Sequence, residues 1–505
     1  MRDNRPPLRL GAATTTLAIL PLLTVHHLPL LDAPGHEAGL AVLHNLIFGS
    51  GVSPFYERGS LFIPDLAFDG IGLTLMEGFS PETAGRIFLG MTLALTLSGL
   101  VVLNRVVTER WSRMPLAAAL LLYNLISMFG FFSFLFGLAL VPWTLAARLR
   151  LPALQVGRGL LLGAALGVAL LFCHVLAFGI YATFWVGVTG AARVAGRIRW
   201  LPAFARVLEL VPALGLFFAM PQGGPGGTVY EAPFVPGKLV GILESLSSGS
   251  RIGDLALIAG LIVLTALLRA SDRVSIAKEC GSGLVCLSLL YLALPLALGT
   301  GSNLDKRIPV AIALLGIACL DVRLHPTSRS RLLVWCLVAA LVVKQGALSI
   351  LWRSFDSRID SVLAALAAIP PGSVVLQSEC HPGTNLLERT YAKWQPSLTH
   401  VAALASLDDR RFIASTWAIP GQQAIAIKQR YRPYNQLQTS FASSTCDLQE
   451  YRRQLALIRD LAARDPEHPP IYFLLIRPPV ADSLTPEAVL RATGPDFELY
   501  GVSPP

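Results

Sequence analysis

Long apolar runs follow one another through the first 350 residues, broken by short polar stretches. A bilayer core of about 30 Å takes about 20 apolar residues per helix. Single-span candidates of that kind fall at 10–31, 85–104, 207–221, 254–268, 281–299, 308–320 and 332–350. Two further runs, 114–147 and 159–192, contain no Asp, Glu, Lys or Arg. Each would reach roughly 51 Å as one helix at about 1.5 Å per residue, too long for one crossing. Arg113 and Arg148 bracket the first, Arg158 and Arg193 the second. Each run therefore reads as a hairpin of two short helices, turning near Gly130 and near His174. That makes about eleven transmembrane helices.

The pattern changes near Trp352. Helical periodicity returns at 358–368 and 448–463, and strand-like runs occur at Ser373–Gln377, Ile471–Ile476 and Phe497–Val502. Pro370-Pro371-Gly372 marks a turn before the first strand. The predicted fold is a polytopic α-helical membrane protein with a C-terminal α/β extracytoplasmic domain. Residues 1–350 form the transmembrane domain, with a first extracytoplasmic loop at 32–84, and 351–505 form the soluble domain.

Composition agrees. Of 505 residues, 53% are hydrophobic and 14% charged, against about a quarter charged in soluble domains. This excludes an ordinary soluble enzyme and a disordered chain. Residues 1–350 hold 26 Lys+Arg against 17 Asp+Glu, and the remainder 15 of each, so the net charge of +9 sits in the membrane part. The segments expected inside carry 19 basic and five acidic residues, and those expected outside six and eleven. The rule that basic loops stay in the cytoplasm then sets a multi-pass protein of the cytoplasmic (inner) membrane, N-terminus inside and tail outside. The first apolar run lacks a small-residue cleavage site and reads as a retained helix. No basic, aromatic-interleaved stripe points to nucleic acid. Seven cysteines include no CxxC; Cys380 and Cys446, the two in the tail, are either a disulfide or two free thiols.

Candidate chemistry concentrates in the first outer loop. It opens with Asp32-Ala33-Pro34-Gly35-His36-Glu37, three proton-transfer or metal-ligating groups in six residues. Asp32 suits the N-cap of a helix starting near Pro34, with His36 and Glu37 on adjacent faces. The same loop holds Glu57, Arg58, Asp65, Asp69, Glu77 and Glu82. Clustered carboxylates suit a divalent ion; a solvated acidic loop is the plainer reading. Lys306 and Arg307, in Asn303-Leu304-Asp305-Lys306-Arg307, break the charge pattern by lying outside. They suit a lipid phosphate, or ordinary headgroup snorkelling. His174 and Lys344 are ionisable groups within apolar runs, and so either functional or paired inside the bundle. His26 and His27 line the same cavity or cap the first helix, and His400 folds back over the membrane site on one reading of the tail.

Asp32-Ala33-Pro34-Gly35-His36-Glu37-Ala38, Phe131-Phe132-Ser133-Phe134-Leu135-Phe136-Gly137-Leu138, Asp305-Lys306-Arg307-Ile308-Pro309 and Pro370-Pro371-Gly372-Ser373-Val374-Val375 occur in that order along the chain. Together with the retained first helix, the acidic outer loop and the outward tail, they resemble a bacterial branch of the glycosyltransferase C superfamily. That resemblance implies an inverting membrane glycosyltransferase using a polyprenyl-phosphate-linked sugar. It places Asp32 as general base, with His36 and Glu37 orienting it, binding the acceptor or holding a divalent ion. Lys306 and Arg307 would neutralise the departing phosphate. From the residues themselves, Arg58, His174 and Lys344 are further substrate-binding candidates. The implied partners are the lipid donor, a glycan, lipid or protein acceptor, and the bilayer. His-Glu in place of paired acidic residues departs from the better-known pattern and leaves metal dependence open. A transporter or lipid flippase is the competing class; it would place ionisable groups at the midplane between repeated halves. A non-catalytic scaffold is the third.

Overall fold

The computed structural model describes residues 7–150, 156–221, 227–278, 280–299, 301–323, 327–380, 398–441, 447–477 and 487–503. Helix α1 (Leu8–Ile19) ends in a 3-10 turn at Pro21. The first long loop, 32–80, then folds into α2 (Ala33–Phe48), strand β1 (Tyr56–Arg58) and α3 (Ala67–Leu75). Helix α4 (Pro81–Thr108) follows, opened by a Ser80 cap on the Thr83 amide and a proline at its first position. Next come α5 (Leu125–Phe129), α6 (Phe132–Arg150), α7 (Val156–Cys173), α8 (Val175–Val194), α9 (Trp200–Leu208) and α10 (Val211–Ala219). The second half of the bundle holds β2 (Thr228–Val229), α11 (Phe234–Leu246), α12 (Arg251–Arg269), β3 (Arg273–Ile276), α13 (Cys280–Ala293), β4 (Ala297–Leu298), α14 (Arg307–Ala318), β5 (Leu320–Arg323) and α15 (Ser328–Ala367).

Among the described residues, six segments are long and apolar enough to cross a membrane: α4, α6, α8, α9 with α10, α12 and α15. Four shorter apolar helical segments, α1 with its turn, α7, α13 and α14, join them. The hairpin expected at 159–192 is present, turning at His174. The one expected at 114–147 is not. Its first half is a 3-10 stretch from Met114 to Leu121 and the single short turn of α5; only α6 is a long helix. Pro115 and the Asn124–Ser127 capping box explain the break. The broken backbone is buried in the protein, the condition for leaving a helix at membrane depth. Lys344 Nζ bonds the Leu120 and Tyr123 carbonyls at 2.7 and 2.8 Å.

The two ends of the bundle differ in chemistry. Helix α14 starts at Arg307 beside the first loop and finishes at the small β3–β5 sheet, where Arg110 pairs with Asp321. At the opposite end sits the tail. Its sheet runs β10 (Ala488–Gly494), β11 (Phe497–Val502), β9 (Ile471–Ile476), β6 (Val374–Glu379) and β7 (Phe412–Ile413), parallel across β9, β6 and β7 and antiparallel elsewhere. All six residues of β6 are buried, because apolar layers cover both faces. Strand β8 (Ile425–Ile427) leaves that sheet to pair antiparallel with β1 of the first loop. Helices α16 (Arg432–Ser440) and α17 (Leu448–Arg464) pack on the side that also receives α2 and β1. No break falls at 350: α15 continues to Ala367. Cys380 is disulfide-bonded; Cys446 lies outside the described residues.

Candidate active site

The N-terminal end of α2 builds the site. Asp32 is the N-cap residue of α2, but its side chain makes no capping bond. The backbone is pinned instead: the Leu31 and Asp32 amides donate to the Met128 and Phe129 carbonyls at 3.1 and 2.9 Å. Gly130 ends α5 with φ +77°, and a Cβ there would lie 3.1 Å from the Ala33 nitrogen, so the close approach requires glycine. The Asp32 carboxylate is buried, and His400 Nε2, brought over from the tail, lies 3.9 Å away. Burial pushes its pKa well above the usual carboxylate range, the Arg307 charge opposes this and Asp65 adds to it.

His36, one turn on, faces a narrow pocket lined by Gly35, Asp65, Phe68, Asp69, Ser133 and Trp417. Rings of Phe132 and Trp417 each lie 5.5 Å from its imidazole. Burial lowers its pKa to about 4, with His400 adding to the effect, so the ring is neutral near neutrality. Gly35 lets the Trp417 indole lie on the first turn of α2; a Cβ would meet it at 3.2 Å. His400 stacks edge-on against the same indole at 4.7 Å.

Asp65 and Asp69 complete the wall. The Asp65 backbone has φ +79°. Ser133 Oγ donates to its carbonyl and accepts from the Phe68 amide, both at 3.1 Å. The Leu66 amide reaches the Phe172 carbonyl at 2.9 Å. Desolvation pushes both carboxylates up to about 7; Ser133 and Arg307 pull Asp65 back, and Asp65 raises Asp69 further.

Arg307 supplies the positive charge. It is buried, with Nη1 2.9 Å from His174 Nε2 and Nη2 donating to the Ser302 carbonyl at 3.1 Å. Its guanidinium lies over the Phe131 and Phe134 rings at 4.0 and 5.1 Å. Nε has no hydrogen-bond partner. The sequence segments around Phe131 and Arg307, far apart in the chain, thus meet at one point. Close by, an apolar groove of about 480 Å³ runs between α11, α13 and α14, lined by residues such as Val235, Leu239, Ile242, Leu292 and Ile312. Lys238 sits at its edge and bonds Asp305 at 2.7 Å.

Not every expected residue joins this group. Glu37 turns away from His36 onto α4, where a Cβ on Gly85 would come 2.6 Å from its Oε1. Lys306 points to the other side of the loop from Arg307 and is matched by Glu244 at 2.6 Å and Glu231 at 3.0 Å. Arg58 is spent on the Leu46 carbonyl at the end of α2, and Lys344 on the broken segment. Asp32, His36, His174 and Arg307 are brought together. Trp417 gave no sequence signal. Asp65 gave a faint one, a lone carboxylate in the apolar stretch Leu61–Phe68. Among the described residues, Asp32, His36 and Glu37 do not converge as a metal-ligand set.

No protein-family model and no curated protein matches the chain. Among solved structures, it is similar to ArnT from Cupriavidus metallidurans bound to undecaprenyl phosphate, at 13% identity over 98% of this chain and 97% of that one, TM-score 0.43. The apo state of ArnT gives 14% identity, the same coverage and a TM-score of 0.45. The arabinofuranosyltransferase AftD from Mycobacteria is 14% identical over 98% of this chain, TM-score 0.45; the chain spans 41% of AftD's length.

Proposed function

We propose that this chain is a membrane glycosyltransferase that moves a sugar from a polyprenyl-phosphate donor to an acceptor hydroxyl. The reaction takes place at the outer face of the cytoplasmic membrane, the side to which the distribution of basic residues assigns the tail. One observation supports this most: a buried carboxylate, Asp32, with no capping bond, lies within electrostatic reach of a buried guanidinium, Arg307, two residues before Pro309 on the wall of an apolar groove. The groove suits a prenyl chain. Arg307, with an unused Nε donor, suits the donor phosphate.

The acceptor oxygen gives its proton to Asp32 as it bonds to the anomeric carbon. The bond from that carbon to the phosphate oxygen breaks, and polyprenyl phosphate leaves with the electron pair. A single displacement inverts the sugar. Burial makes the ionised Asp32 a stronger base than an exposed aspartate. Arg307 stabilises charge as it develops on the phosphate, the term that dominates such reactions. His36, neutral, and Asp65 and Asp69 line the acceptor pocket. No step is given to a metal, since Glu37 faces α4.

Lipids that co-purify with the full chain, read by mass spectrometry, test the donor. A polyprenyl phosphate or its sugar conjugate is expected in the wild type. It is depleted several-fold in Arg307→Ala and retained in Lys306→Ala, because Lys306 is already matched by two carboxylates. With that donor in nanodiscs, Asp32→Asn lowers transfer by about 10²–10⁴-fold. Bulk phospholipid alone in the wild type, or full transfer by Asp32→Asn, would refute the proposal.

A further inference from the structure

His26 and His27 lie in the link between α1 and α2, and Glu82 on the first turn of α4. One ligand atom from each of the three lies within 4.8 Å of the others. Among the described residues no other group of three His, Cys, Asp or Glu side chains converges in this way. The backbone of the pair is fixed in advance: the His26 and His27 amides donate to the two carboxylate oxygens of Asp356 on α15, at 2.9 and 2.8 Å.

A second observation is independent of that convergence. His27 is 5% exposed, and its Nδ1 is buried with no hydrogen-bond partner. Its Nε2 lies 3.1 Å from Asp360 Oδ1, one turn beyond Asp356. With Nε2–H donating to the carboxylate, the lone pair is left on Nδ1. A metal-bound imidazole has this arrangement, a carboxylate on one nitrogen and the metal on the other. Left without a partner, a buried ring nitrogen is destabilising, so a ligand on Nδ1 relieves a real cost.

We propose that His26, His27 and Glu82 bind a divalent transition metal of zinc chemistry, with Asp360 as the positioning carboxylate of His27. Two imidazoles and one carboxylate form a known zinc donor set that leaves a fourth position for water. Tetrahedral bonds of about 2.0–2.1 Å need ligand atoms about 3.3 Å apart. Rotation of the exposed His26 ring and of the Glu82 side chain closes the difference onto the fixed His27. The neighbouring cation, Arg86, is turned onto the Val25 carbonyl and Thr83 at 2.9 and 2.8 Å, leaving Glu82 to the metal. The site joins the α1–α2 link to α4, and through Asp356 and Asp360 to the helix that carries the tail. It is a clip outside the pocket, and it does not depend on the proposed reaction.

The test uses the full chain in detergent, stripped of metal by chelation, titrated with zinc alone and measured by elemental analysis after desalting. One zinc per chain is expected. Glu82→Gln and His27→Ala raise Kd at least tenfold, and Asp360→Asn raises it roughly tenfold, the usual cost of a lost positioning carboxylate. His26→Ala alters an exposed side chain, so its tenfold loss separates ligation from misfolding. Asp65→Asn keeps the stoichiometry. No stoichiometric zinc in the wild type overturns the site. So does zinc that survives His26→Ala and is lost in Asp65→Asn, which would move it to the pocket.

Discussion

Asp65 carries two marks of a worked residue: a left-handed backbone that non-glycine residues rarely adopt, and a pKa near neutrality. Its free acid is expected near 3.9. Between about pH 4 and 7 the folded chain therefore holds protons on Asp65 and Asp69 that the unfolded chain has lost. Their contribution to stability declines as pH rises through that window. On the proposed reaction activity runs the other way, because transfer would need Asp32 ionised. The pH profile of kcat/KM is expected to rise well above the ordinary carboxylate range, because burial raises the pKa of Asp32. Removing the Asp65 charge in Asp65→Asn lets Asp32 ionise more easily and moves the rising limb to lower pH. A wild-type profile whose rising limb lies at the ordinary carboxylate pKa, near 4, would sink this. At this scale Asp32, His174 and Arg307 were legible in sequence, since a polar group amid apolar residues is costly to bury without a use. Asp65 and Asp69 were visible only as loop carboxylates. What aims them, Ser133 and the Phe172 carbonyl, comes from helices 65 or more residues away. In sequence Lys306 reads as a companion of Arg307 for the same reason: Glu231 and Glu244, which match it, approach from a separate helix and its lead-in.

Elements were read best where the pattern is local. Strands β6, β9 and β11 lie where alternation and apolar runs put them, and α17 within a residue of its expected limits. The broken segment before α6 was misread because a charge-free run signals depth in the membrane, not helicity; the Asn124 cap and Lys344 decide that locally. Helix pairing was not legible at all. Helices α8 and α13 approach through glycine: a Cβ on Gly187 would fall 2.7 Å from the Ser282 carbonyl and 2.9 Å from Gly283 Cα. Backbone cannot yield as a side-chain tip can. Gly187→Ala is expected to cost about 1–3 kcal/mol and lower the melting temperature by several degrees. Gly190→Ala, on the same helix with nothing within 4 Å, is neutral or mildly stabilising. Equal melting temperatures for the two variants would mean that the helices do not meet through glycine.

The whole molecule is less divisible than its hydropathy suggests. Composition separates a membrane half from a soluble half, yet the apolar core of the tail includes Val42, Leu43, Leu46, Phe55 and Tyr56 from the first loop. Phe55 packs on Tyr431 and Phe412 with ring centroids 5.1 and 6.0 Å away. Phe55→Ala should therefore unfold the tail, although it lies in the other half of the sequence, at a cost of about 3–5 kcal/mol. Limited proteolysis of the full chain reads it: cuts appear first within 398–477. Cuts confined to the first loop would contradict it. Nothing in the alternation of Tyr56–Arg58 told that its partner lies at Ile425–Ile427.

That pairing also sets a clock. Tyr56 waits for Ile427, about 370 residues later, and at about 5–20 residues per second the wait is roughly 20 to 75 s. Until then Asp32 has neither His400 nor Trp417 over it. On the proposed reaction a nascent chain stays silent until then, and the pocket is finished among the last things the ribosome delivers.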